Sequence, residues 1–380
     1  MRKLIVVSIC LAMAFAGYLL TSTVDSAAPV AVAAAKGYTA TMYVSGMGGH
    51  FAVAEITIDP SDKDNPIKIT KDLDRIVLGS SKSYPVHDPR IDDTDRTKMF
   101  FSTYKPDPAA DGMVHIGVVD LATKTVAKDL KVKIDDRGAW TGAVYCASGQ
   151  TKKSYIPVTM TGEAYIDVFR KSDLSLAQRV FLDKEGFKNN YWFYHGTNSP
   201  DMKTFVVAVN GTEKWPDAKT PGKPNGKVDM LLLDMASLEN GKVKVVKKNS
   251  MQGEPGKTLT FRQYFTADGK YILQSAADRF YLLDAKTLKV LDEEVLSIGE
   301  NHDAMGTPDG KYAILSLRSK VRSEADPESG KLVQDGQLAL YDIAAKKVVG
   351  NPVSVCYACH KTMGLHNDSA LCGIDANFKM

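Results

Sequence analysis

Residues 356–360 read Cys-Tyr-Ala-Cys-His. Two thiols at i and i+3, followed at once by an imidazole, form the attachment signature of a c-type haem. The thiols reach the two vinyl groups on one edge of a porphyrin. The histidine then stands under the iron as proximal ligand. A chain of this composition would contain the pattern by chance about 0.001 times, so the match is specific. Cys356 and Cys359 are read as thioether positions and His360 as an iron ligand, with one covalent haem c. Two other uses of the same residues stay open. The thiols could pair as a disulfide, or both thiolates and His360 could hold zinc or copper, with Cys372 as a fourth ligand.

The compartment agrees with haem attachment. Arg2 and Lys3 precede an apolar run from Leu4 to Leu20, and small residues follow, ending in Ala33-Ala34-Ala35. Charged, apolar and small-residue zones in that order make residues 1–35 a secretory signal. Residues 36–380 are then a periplasmic or otherwise exported chain, in an oxidising compartment where cysteines pair or carry cofactors. An uncleaved anchor is the alternative, since the apolar run lies at the lower edge of what spans a bilayer. No other stretch approaches that length, so no membrane span is expected after cleavage.

Composition excludes several classes. With 44% hydrophobic and 24% charged residues, the chain is globular rather than disordered. Its 48 basic and 45 acidic residues are intermixed and leave a net charge of only +3, which argues against nucleic acid. Five cysteines are too few for a disulfide scaffold.

The elements that must position the motif are short strands in a repeat. One unit is an apolar strand, an Asp turn and a second strand: HIGVVDLATKTV at 115–126, YIDVFRKSDLSL at 165–176, MLLLDMASLENGKVKVV at 230–246, YLLDAKTLKVL at 281–291 and ALYDIAAKKVV at 339–349. A looser copy spans 52–69. Aspartate suits the turn because its carboxylate can bond backbone N–H groups two residues on. A second unit, a turn and then a β-rich strand, precedes each copy: TPDGKYAILSL at 307–317, TADGKYILQSA at 266–276 and SPDMKTFVVAV at 199–209. Weaker copies lie at 93–103, 148–158 and 366–376, and ATMYVSG at 40–46 makes a seventh such strand. No stretch after residue 36 has a convincing helical period. The expectation is an all-β fold, a single β-propeller over 36–380, with seven blades favoured and six possible. The strand near Leu371–Ile374 should share a blade with the N-terminal strand and close the ring.

These copies resemble the YVTN/WD-like propellers. That superfamily includes the heavy chains of quinoprotein amine dehydrogenases and the haem d propellers of periplasmic nitrite reductases. The resemblance covers about 340 residues, a whole propeller domain. It implies the fold and leaves the activity open, because these propellers host many chemistries. Class I cytochromes c carry their motif near the start of a separate helical domain. Here only twenty residues follow His360, so the haem must sit on the propeller itself.

Repeat register suggests where. HDAMGTPDGKYAIL from His302 aligns with HKTMGLHNDSALCG from His360, matching Met305 to Met363 and Gly306 to Gly364. His195 and His87 fall within a residue or two of the same slot. Equivalent positions in different blades converge on the axis, so the four imidazoles could form a haem or metal site. His302 is the first choice for a distal iron ligand or distal catalytic group, followed by His195 and His87. The plain reading is that such histidines make structural hydrogen bonds before an inner strand.

Weaker signals complete the reading. Tyr191-Trp192-Phe193-Tyr194 could wall a pocket or simply pack between blades. Trp140, beside Arg137, could seal the channel. The acidic loops at Asp59, Asp62 and Asp64, and at Asp92, Asp93 and Asp95, match no EF-hand and read as turns. His115 reads as structural, and His366 could hydrogen-bond a propionate. The expected function is a periplasmic monohaem cytochrome in respiratory electron transfer or redox catalysis. Its partner would be a redox protein such as a multihaem cytochrome. An open sixth iron position would admit a small-molecule substrate such as a nitrogen oxyanion or peroxide. The alternatives are a non-enzymatic interaction propeller stapled by its Cys/His cluster, or a copper oxidoreductase using the channel histidines.

Overall fold

The structure, a computed structural model, describes residues 37–46, 48–79, 84–138, 144–161, 163–217, 220–322, 332–362 and 371–379. The expected signal at 1–35, Trp140, Met363, Gly364 and His366 lie outside the described residues. Among those described, the strands form six sheets of a β-propeller, five of four strands and one of five.

Blade 1 joins the two ends of the chain. Its innermost strand is Leu371–Lys379, followed outward by Tyr38–Gly46, His50–Ile58 and Ile67–Ile69, with Asp74–Val77 also paired to His50–Ile58. The other blades are consecutive meanders. Their innermost strands are Val86–Ile91 (blade 2), Tyr145–Gln150 (blade 3), Tyr191–Asn198 (blade 4), Gln263–Phe265 (blade 5) and Glu300–Gly306 (blade 6). Each innermost strand touches those of both neighbouring blades, so the ring is closed.

The ring has six blades, the smaller of the two counts the repeats allowed, rather than the favoured seven. The reason lies in blade 1. The copies at 40–46 and 366–376 both enter the tally of seven inner-type strands, yet Tyr38–Gly46 and Leu371–Lys379 pair with each other in one shared blade, as ring closure required, for example Val44 with Ile374. The turn-plus-strand units of blades 2 to 6 are second strands, and the innermost strands precede them.

Local chemistry explains the meanders. Asp120 accepts from the Ala122 and Thr123 N–H groups, Asp284 from Lys286 and Thr287, and Asp342 from Ala344 and Ala345. These are the aspartate turns the sequence announces. Asp234 instead caps a five-residue helix, Met235–Glu239, by accepting from Ser237. Strands inside a blade are buried on both faces by neighbouring blades. Thr204–Thr212 is therefore a nearly unbroken apolar run. Outer strands such as Thr125–Val132 face water and are mainly exposed.

The ring is stitched across every blade boundary near the axis. Ile91 donates to Asp375, Ile374 to Asp303, Gln150 to both Ile91 and Asn198, Gln263 to His195, and Arg262 to the His302 carbonyl. Each bond joins adjacent innermost segments, so the axial region is preorganised by hydrogen bonds as well as by packing. Among the described residues, no helix is long and apolar enough to cross a membrane.

Candidate functional site

The motif lies on a helix, Cys356–Thr362, that the strand-rich sequence did not announce. Seven residues are too few to show a hydrophobic period. A helix places residues i, i+3 and i+4 on one face, so Cys356, Cys359 and His360 share a side. Its start is pinned to blade 6. Tyr357 N–H donates to Asp335 Oδ1 at 2.8 Å, and Val355 N–H to the Gly336 carbonyl at 2.9 Å. Gly336 is required there, because a Cβ at that position would stand 2.6 Å from Cys356 Sγ and 2.3 Å from Leu371 Cβ.

Both thiols are buried, 3% exposed for Cys356 and 2% for Cys359. Burial pushes Cys356 well above the ordinary thiol range. It raises Cys359 to about 11, with Arg75 pulling the other way. The sulfurs are therefore held neutral and inert. Such an environment suits a neutral thioether, whereas it opposes a thiolate.

Opposite the motif stands His50, at the start of the strand His50–Ile58. Its ring lies 5.3 Å from that of His360, and its Nε2 is 3.4 Å from Cys359 Sγ. Burial lowers its pKa to about 4, with further lowering by His360 and Arg75. His50 is thus a neutral imidazole with a lone pair available. Gly48 lets the hairpin close over this point: a Cβ there would fall 2.8 Å from His360 Nε2. Sequence reasoning missed His50, although the run Gly46-Met47-Gly48-Gly49-His50 carried a signal. Clustered glycines before a histidine mark a close backbone approach.

His87, His195 and His302 do gather at the axis, on innermost strands. His302 stacks on Phe261 at 3.9 Å between centroids and hydrogen-bonds Glu300 through Nε2. Its pKa falls to about 3, first through burial and then through Arg318. His195 meets the same Phe261 at 5.9 Å, and His87 packs on Tyr104 at 4.3 Å. Burial also holds His87 and His195 far below the ordinary imidazole range, with Arg262 adding to both.

The register read from sequence needs correction here. His360 lies on the motif helix and faces His50, not on an innermost strand beside His302. The slot of His302 is a β-bulge, the extra residue between the Asn301–Leu317 and Asp303–Ser316 pairs. The same bulge is filled by His87, Cys146 and Cys372 in blades 2, 3 and 1. A bulge re-aims one side chain while the ladder continues, so these four form the true set of equivalents. His195 pairs regularly with Ala208 and lies outside it. Cys372 accepts from Arg318 Nη2 at 2.7 Å, and Arg318 also acts electrostatically on Cys356. Arg318 thereby connects the motif to the channel histidines.

The remaining candidates are structural. His115 hydrogen-bonds Asp107 and Asp129 and stacks on Tyr84. Tyr191 and Tyr194 belong to a hydrophobic core, and Phe193 packs on Phe261. Arg137 pairs with Glu163 and Asp183 at the surface. Asp59, Asp62, Asp92 and Asp95 accept from residues two positions on, as turn aspartates do. Among the described residues, no three His, Cys, Asp or Glu side chains stand in a ready-made metal-binding arrangement.

No family model matches the chain, and no curated protein matches it. Solved structures do. A chain of a nidogen–laminin complex superposes with a TM-score of 0.53 at 10% identity, over 90% of this chain and 98% of its own. A protein of unknown function from Bacteroides caccae gives 0.50 at 12% identity, over 89% and 98%. At such identities the likeness is one of fold alone. Sheet order, ring closure and these structural neighbours together make the chain a β-propeller with six blades, an architecture that does not by itself assign an activity.

Proposed function

We propose that Cys356, Cys359 and His360 carry one covalent c-type haem, and that the chain is an exported electron-transfer cytochrome built on a propeller of the YVTN/WD-like kind. The observation that carries this reading is the neutral imidazole of His50, 5.3 Å from His360 across a helix that offers both thiols on the same side.

The donor set fits the group. Two buried, uncharged sulfurs are what thioether bonds leave behind, and His360 supplies the proximal nitrogen. His50 replaces His302 as first choice for a second nitrogen that would hold the group. It is unprotonated at neutral pH, and Gly48 brings its hairpin against His360. Arg75 is the nearby cation suited to a propionate, since it acts on both His50 and Cys359. When bound, the haem supplies one-electron redox chemistry. Buried walls around the sulfurs keep water from them, and a second imidazole favours electron transfer over substrate turnover. A periplasmic redox protein, a multihaem cytochrome among the candidates, is the expected partner.

The test is a peroxidase-stained denaturing gel of the exported protein from a host competent in haem attachment. A stained band that Cys359→Ala abolishes is expected. A colourless protein refutes the reading, and zinc or copper found in its place by elemental analysis would establish a metal site. His50→Ala should turn a six-coordinate absorption spectrum into a ligand-exchangeable one, while His302→Ala leaves it intact. The reverse result returns the distal role to His302.

A further inference from the structure

Near the axis stand two guanidiniums that no carboxylate engages closely, Arg262 fully buried and Arg318 part-buried. Arg262 is 2% exposed. Its Nη2 donates to the His87 carbonyl, but Nε and Nη1 have no hydrogen-bond partner. Its nearest carboxylate oxygen, Asp88 Oδ1, stands 3.4 Å away and is itself unbonded. Arg318 lies 3.8 Å from Glu300, with its Nε donating to the Leu371 carbonyl at 3.1 Å and its Nη2 to Cys372 Sγ, so the unfilled donors are those of Arg262. Two other cations of the chain are paired more tightly. Arg179 grips Asp167 through two bonds of 2.8 Å, and Lys171 meets Asp92 at 2.7 Å. A guanidinium out of water with unfilled donors carries a large desolvation cost, so loose pairing at the axis marks a place for another partner.

Neutral donors surround the two arginines. His87 Nδ1 is buried without a partner. The Thr260 backbone lies beside His195, yet neither ring nitrogen of His195 has a hydrogen bond of normal geometry. Arg262 acts electrostatically on His87, His195 and His302, and Arg318 on His87 and His302, so the five side chains form one cluster. Tyr104 and Phe261 close it with aromatic faces against His87 and His302.

We propose that this cluster binds a small anion at the axis, held by Arg262 and Arg318 with the N–H groups of His87 and His195 as further donors. The ligand class is a monovalent anion of few atoms, such as a planar oxyanion, a small carboxylate or a halide. Planar ions match the in-plane donors of a guanidinium. Neutral imidazoles can donate without adding charge, so discrimination would rest on shape. The site goes beyond the haem reading and does not depend on it.

The experiment is isothermal titration of the full exported chain with sodium nitrate, formate and chloride, with sulfate as an oversized control, followed by thermal shift at saturation. One site per chain is expected for at least one small anion, with a rise in melting temperature and a weaker response to sulfate. Arg262→Gln should abolish binding. Should that variant fail to fold, Arg318→Gln, nearer the surface, carries the test and should weaken binding at least tenfold. No binding of the three small anions at 10 mM, or affinities unchanged in a folded arginine variant, would overturn the proposal. Haem content is scored on the same samples, so a colourless protein that still binds the anion sinks only the haem reading.

Discussion

Gly336→Ala tests whether the motif helix is locked against the ring. A methyl there would lie 2.3 Å from Leu371 Cβ and 2.6 Å from Cys356 Sγ, and both neighbours are buried. Overpacking of this kind costs ~1–3 kcal/mol. Lower chain entropy in the unfolded state returns ~0.4–1 kcal/mol. The net loss is about 1–1.5 kcal/mol at mid-range. A unit of about 350 residues has an unfolding entropy of ~0.7 kcal/mol/K, so each kcal/mol moves Tm by ~1.4 °C. Gly336→Ala should therefore lower Tm by about 2 °C. Gly306→Ala is the matched control, because its Cβ would meet nothing nearer than Leu273 Cδ1 at 3.5 Å. That strand position should gain ~0.4–1 kcal/mol, so the two variants should differ by about 3 °C. Calorimetry gives the melting temperatures, and the haem-to-protein ratio gives the second readout. On the haem reading, only Gly336→Ala should reduce that ratio, by displacing the Cys356 sulfur. Equal melting temperatures with full haem in both would refute the packing argument.

Two pH effects follow from buried groups. The Asp129 hydrogen bond leads the rise in the His115 pKa, so the stabilisation is complete below the unfolded value near 6.5 and fades as pH climbs through the higher folded value. His115→Gln should trail the wild type in urea midpoint at pH 6 and close the gap by pH 9; a constant gap counts against the paired geometry. Burial raises Asp303 to about 7 against opposing pulls from Arg262, Arg90 and the Ile374 N–H. Its protonated form then favours the fold, and that stability is lost as pH rises from ~4 through 7. Asp303→Asn should therefore gain on the wild type between pH 5 and pH 8 in the same assay, and a gap independent of pH would show that Asp303 stays ionised.

What the sequence made legible was local. The Cys-Tyr-Ala-Cys-His run and the aspartate turns depend on neighbours in the chain, and the turns recur in the structure. What it concealed depends on distance. His50 meets Cys359 across 309 positions, and nothing near His50 in sequence names that partner. Seven blades looked favoured because the two strands of the shared blade, at 40–46 and 366–376, each resemble the inner-type copies, whereas only their pairing shows that they belong to one sheet. Histidine spacing aligned His302 with His360, whereas the ladder aligns His302 with His87, Cys146 and Cys372. A bulge adds one residue without a sequence mark, so identity alone suggested the wrong equivalents. Arg262 and Arg318 went unnoticed because buried and exposed arginines look alike until a ring closes around them.

Ring closure also sets a clock. Ser45 and Gly373 meet across 328 positions, and contacts of such span form late in folding. Until Leu371–Lys379 docks, the motif just before it is an exposed peptide. Once docked, Leu371 packs on the Gly336 and Cys356 neighbourhood and the thiols are sealed. On the haem reading, maturation must be finished within that delay, and a molecule that closes early is trapped colourless yet folded. The slowness of a split blade would then be useful: it holds the substrate of the attachment machinery open. Speeding closure, for instance by tethering Tyr38–Gly46 to Leu371–Lys379, should raise the folded yield and, on the haem reading, lower the fraction that carries haem.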